Sequence, residues 1–79
     1  MKIYGLKKTT EHSPSQWEGR TADGRAVYIK YRSGHLQVGV GKNLEEAVRN
    51  AEAVYTTKKG GSYMSTKTML KLIGRIVEE

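Results

Sequence analysis

Gln16-Trp17-Glu18-Gly19-Arg20-Thr21, Ala22-Asp23-Gly24, Ala26-Val27-Tyr28-Ile29-Lys30-Tyr31-Arg32, Ser33-Gly34 and His35-Leu36-Gln37-Val38-Gly39-Val40 together decide the fold. The segment Ala26–Arg32 alternates with period two. It sends Val27, Ile29 and Tyr31 to one face and Tyr28, Lys30 and Arg32 to the other. Asp23-Gly24 is a favoured hairpin turn because both residues tolerate positive φ, so residues 16–21 read as a partner strand. Ser33-Gly34 makes a second tight turn. Beyond it Leu36, Val38 and Val40 alternate with His35, Gln37 and Gly39. Two tight turns between three alternating runs give an antiparallel meander over residues 16–41.

Working toward the N-terminus, residues 1–6 alternate weakly and read as a short edge strand. Residues 7–15 contain no apolar residue and hold the single proline, so 1–15 is expected to be an edge strand followed by a mobile loop. Toward the C-terminus, Asn43 is a good N-cap and Glu46 three residues on completes a capping-box pattern. Glu45 and Glu46 sit where the helix dipole favours negative charge. Leu44, Ala47, Val48, Ala51, Val54 and Tyr55 fall on one helical stripe, and Gly60-Gly61 stops it, so the spacing predicts a helix over 43–59. A second helix is predicted over 65–78, capped by Ser65 or Thr66. Met69, Leu72, Ile73 and Ile76 lie on one side of it, and Lys67, Lys71 and Arg75 on the other. The expected architecture is a single α+β domain over 1–79. Its three- or four-stranded antiparallel meander packs on one helix, with a second C-terminal helix. Trp17, Val27, Ile29, Tyr31, Leu36, Val38 and Val40 are expected to bury against the 43–59 helix, leaving the opposite sheet face in water.

Composition narrows the chemistry. The 79 residues carry fourteen Lys+Arg against eight Asp+Glu, a formal charge of +6, with no cysteine. Such a surplus favours polyanions or acidic protein surfaces. Without cysteine, disulfides, thiolate metal sites and cysteine nucleophiles are excluded. The longest apolar run, Ala26–Ile29, is four residues, far short of the ~20 a bilayer span needs. No apolar stretch follows the early charges, so neither a signal peptide nor membrane association is expected, and the cytoplasm is the expected location. His12 and His35 lack metal-ligand spacing, and no serine has a base placed beside it, so neither a metal, a cofactor nor an enzymatic activity is expected. Gly39-Val40-Gly41-Lys42 before a helix resembles a phosphate loop. However, Leu36 and Asn43 stand where a Walker motif needs Gly and Ser or Thr.

The candidate site is the open sheet face. By alternation Gln16, Glu18, Arg20, Tyr28, Lys30, Arg32, His35 and Gln37 point outward together, with Arg20 and Arg25 flanking the first turn. Arg and Gln can contact base edges in a major groove, and Tyr28 can stack on an unpaired base. Residues 1–43 carry eight basic and three acidic side chains (+5), against six and five (+1) in residues 44–79. Lys58 and Lys59 open an acid-free stretch, reaching Arg75, that suits phosphate contacts. The expected site is thus Arg20, Arg25, Tyr28, Lys30, Arg32, His35, Gln37, Lys58 and Lys59. Its expected partner is nucleic acid or a nucleoprotein complex, or else an acidic protein surface.

Over residues 16–59, the order hairpin, third strand, turn and helix opening Asn43-Leu44-Glu45-Glu46-Ala47 resembles two families. One is the plant ethylene-response-factor type of DNA-binding domain, and the other is the arm-site-binding domain of phage and transposon integrases. The resemblance implies a three-stranded sheet on one helix whose exposed face enters the major groove through Arg20, Tyr28, Lys30, Arg32 and Gln37. The Arg- and Trp-rich pattern of the plant family's reading strands is missing here. The passage Val38–Lys42 into a helix is also similar to double-stranded-RNA-binding domains, although Glu45 and Glu46 replace the lysines expected there. In size and style the chain further looks like small phage-encoded inhibitors, anti-CRISPR proteins among them. That likeness implies a protein that blocks a host defence or nucleic-acid-processing complex.

Overall fold

The computed structural model describes residues 3–10 and 13–73. Five strands form one antiparallel sheet in sequence order: β1 (Tyr4–Thr10), β2 (Ser15–Arg20), β3 (Ala26–Arg32), β4 (His35–Gly41) and β5 (Glu52–Thr56). Helix α1 (Leu44–Arg49) joins β4 to β5, and α2 (Thr66–Ile73) follows β5. The α+β class and the meander of β2, β3 and β4 match the sequence reading, while the sheet is wider than expected. Its register pairs Trp17 with Ile29 and Ile29 with Val38. Arg32 stands opposite His35, and Ser33 and Gly34 at φ 51° and 81° fill the two-residue turn between them.

Three boundaries depart from the expectation. First, the edge strand does not stop at residue 6 but runs to Thr10, because Lys7 and Lys8 pair with Glu18 and Trp17. Its register shifts twice, and Gly5 takes φ 60°. Second, the predicted 43–59 helix is two elements. Asn43 caps it as expected: its Oδ1 accepts the Glu46 N–H at 2.9 Å, and Glu46 Oε1 accepts the Lys42 N–H at 3.1 Å. The helix then ends at Asn50, whose Nδ2 donates to the Val40 carbonyl at 2.9 Å. From there Glu52, Ala53, Tyr55 and Thr56 pair with β4 as β5, a strand in which Val54, Tyr55 and Thr56 are strand-favouring residues and Val54 sits at a register shift. Third, the C-terminal helix is described over 66–73, and the expected continuation to residue 78, with Ile76 and Arg75, lies outside the described residues. Ser65 caps it, its Oγ accepting the Thr68 N–H at 3.2 Å.

The core lies on the Trp17 face of the sheet. Ile3, Trp17, Val27, Ile29 and Leu36 are fully buried there, joined by Tyr31, Met64 and Met69. Its cover is the strap 60–65 and α2, not the first helix. Polar groups pin the strap: Ser15 N–H donates to the Ser62 carbonyl at 2.8 Å, and the Met64 N–H donates to Ser15 Oγ at 2.9 Å. Trp17 Nε1 donates to Thr66 Oγ1 at 2.9 Å, and Lys8 Nζ to the Met64 carbonyl at 3.1 Å. At the far end the Gly34 N–H donates to the Gly61 carbonyl at 2.7 Å. These bonds satisfy polar backbone that the strap would otherwise bury unpaired.

Helix α1 occupies the opposite face. There Ala47 is fully buried and packs with Ala26, Tyr28 and Ala51. Gly39 and Gly41 lie on that face, in register with Tyr28 and Ala26. A Cβ on Gly41 would stand 2.7 Å from the Ala47 nitrogen. Bare glycine backbone is what lets the helix sit directly on β4. Among the described residues no helix is long and apolar enough to cross a membrane.

Candidate binding strip on the sheet

With α1 seated on it, the face carrying Tyr28 is only partly open. What stays open is the end near the Ser33-Gly34 turn. There Lys30 lies in register between Gln16 and Gln37, and Arg32 stands opposite His35. Beyond His35 comes Thr56 of β5, whose Oγ1 is 3.1 Å from His35 Nδ1. Arg32 and His35 are exposed, Lys30 and Gln37 half-buried. Among the described residues no acidic position pairs in register with any of these four side chains. Lys58 and Lys59 belong to the same end, because the Thr57 N–H donates to the Gly34 carbonyl at 2.8 Å and both lysines are exposed.

The other three expected site residues are elsewhere. Arg20 and Arg25 flank the 21–25 turn, about 20 Å from Arg32 at the ~3.3 Å rise of a strand. Arg25 Nε pairs with Asp23 at 3.2 Å, and Arg20 Nη1 donates to the Gly24 carbonyl at 3.3 Å. Thr21 Oγ1 also donates to Asp23, and that bond, followed by the Arg25 contact, holds the Asp23 carboxyl below its ordinary pKa. Both arginines therefore serve the hairpin turn first. Arg20 lines a groove of about 380 Å³ with Tyr4, Lys7, Glu18 and Leu44, separate from the Lys30 strip.

Tyr28 requires a correction. It was expected to be exposed for base stacking, yet it is 8% exposed and lies beneath α1. Burial raises its pKa, and the charge of Glu18, its partner in β2, adds to the rise. The folded chain thus keeps a proton that the unfolded chain releases near pH 10, so stability falls as pH climbs through that range. An absorbance titration of the five tyrosines is expected to contain a late step that Tyr28→Phe removes. Loss of amplitude from the main step, with the late step kept, would contradict the burial.

Two features escaped the sequence reading. One is the seat of α1, signalled by glycines at two alternate positions of a strand. The other is a groove of about 440 Å³ on the Trp17 face beside β5, lined by Tyr31, Tyr55, Tyr63, Met64, Leu72 and Lys59 among others. Among the described residues no three His, Cys, Asp or Glu side chains gather to hold a metal ion. No family model, curated protein or solved structure matches the chain.

Proposed function

We propose that this protein is a non-enzymatic binding module that grips the phosphate backbone of nucleic acid, alone or within a nucleoprotein complex. The grip is made by Lys30, Arg32 and His35, with Gln37 beside them and Lys58 and Lys59 as outlying phosphate contacts. The observation that carries this reading is the open sheet end where these side chains converge without an acidic partner in register. Phosphate neutralisation releases counterions and gives affinity without sequence preference. With Tyr28 covered, the strip loses its tyrosine platform for stacking a base, and its cationic side chains favour backbone contact.

Binding to duplex DNA, single strands and double-stranded RNA, titrated across salt, tests the reading. Affinity should fall steeply with salt, and the Lys30→Ala/Arg32→Ala variant should lower the log–log slope by about 2, close to one per lost phosphate contact. Neither side chain is in the core, so that variant should fold normally. No binding at low salt would overturn the reading. It would favour instead an inhibitor that presents the same strip to an acidic surface of a host defence or nucleic-acid-processing complex.

A further inference from the structure

The sheet has two edges that differ in how they meet solvent. At β1 the register shifts twice, Gly5 sits at positive φ and Lys7 and Lys8 punctuate the strand, which are features that discourage further pairing. At β5 the register shifts only once, leaving Val54 without a partner in β4, and neither a positive φ nor a lysine, proline or glycine interrupts the strand: Glu52, Ala53, Val54, Tyr55 and Thr56 are all exposed. Val54 is 58% exposed and Tyr55 41%. Beside this edge, on the Trp17 face, lies the 440 Å³ groove to which Tyr55, Tyr63 and Leu72 contribute exposed apolar surface. Lys8 Nζ stands 4.4 Å from the Tyr63 ring centre, within reach of a cation–π contact. An unpaired strand beside an apolar groove is the arrangement by which sheets accept an added peptide strand. The backbone ladder supplies affinity, and the groove selects alternate side chains.

Charge decides the occupant. From Lys58 to Ile73 the chain holds Lys58, Lys59, Lys67 and Lys71 and no acidic residue, and Lys59 lines the groove. Two copies paired edge to edge would bring two such basic sets together on a chain of charge +6, which opposes self-pairing. An acidic partner would be drawn in. We propose that β5 and the adjoining tyrosine groove dock an extended segment of a partner protein in which Val, Ile, Leu or Tyr alternates with Asp or Glu. This surface shares Lys59 with the outlying phosphate contacts but holds none of Lys30, Arg32, His35 and Gln37, so the Lys30→Ala/Arg32→Ala variant separates the two readings.

The test is selection of a displayed library of random twelve-residue peptides against the full chain. Enriched peptides are expected to show the apolar–acidic alternation and to shift the backbone amides of Glu52–Thr56. They should bind Val54→Pro and Tyr63→Ala at least tenfold more weakly while keeping their affinity for Lys30→Ala/Arg32→Ala. Both altered side chains are exposed, and amide spectra of the free variants verify that each has folded. The proposal is overturned by failure to enrich any peptide or by peptides without acidic alternation. Binding that survives in both folded variants overturns it too, as does a concentration-dependent dimer that Val54→Pro abolishes, which would make a second copy the occupant.

Discussion

Gly39→Ala is expected to unseat α1 and to cost at least the ~1–3 kcal/mol typical of overpacking, a large share of the ~4–12 kcal/mol that about 0.05–0.15 kcal/mol per residue allows a chain of this length. The added Cβ would run into the carbonyl oxygen of Ala47 and come within 2.7 Å of the Ala51 nitrogen and 2.8 Å of its Cα. All three obstacles are backbone atoms, so no rotamer change relieves them. The helix must lift, exposing Ala47 and Tyr28 and detaching Asn50 from the Val40 carbonyl. Trimming Ala47 to glycine in the same chain should fail to rescue stability, because the side chain is not what collides. Urea denaturation followed by circular dichroism measures the loss. A midpoint equal to that of the native chain would mean that α1 does not rest on β4.

Trp17→Ala should be at least as damaging, at about 3–5 kcal/mol for a buried aromatic truncated to alanine. Trp17 is fully buried among Ile3, Ile29, Leu36 and Met69, and its Nε1 ties the sheet to the start of α2 through Thr66. The variant would lose packing and the link at one position. Trp17→Phe separates these effects: most of the volume stays and the hydrogen bond goes. Thr66 is only half-buried, and water can replace the lost donor, so this variant should lose clearly less than the alanine. Similar midpoints for the two variants would show that the bond, and not the packing, holds the strap. A Trp17→Ala chain unfolding at the native midpoint would refute the core assignment outright.

The two substitutions probe opposite sides of one sheet, and those sides were unequally legible. The Trp17 face could be read residue by residue, because strict alternation along β3 and β4 separates Val27, Ile29, Tyr31, Leu36, Val38 and Val40 from their neighbours. Its cover could not, since alternation sorts side chains into two faces without saying which helix reaches which. The stripe from Leu44 to Tyr55 is apolar at helical spacing throughout, yet only Leu44–Arg49 is helical. The free edge of β4 offered backbone partners to residues 52–56, and pairing there outweighed a local periodicity. The same event decided the candidate site. By placing α1 over Tyr28, the fold withdrew the aromatic residue and left a shorter basic strip at the turn end.

By itself the sequence determined the strands β2, β3 and β4, the Asp23-Gly24 and Ser33-Gly34 turns, the Asn43 cap and the identity of the buried face. All of these depend on residues within a few positions of one another, where φ preference, period-two alternation and side-chain capping act directly. Only the tertiary structure decided that α1 lies on the glycine-bearing face, that 52–56 becomes an edge strand, and that the 60–65 strap and α2 close the core. Each is a competition between distant surfaces: bare backbone at Gly39 and Gly41 admits a helix at close range, while the bulky Trp17 face takes the methionines of the strap and α2.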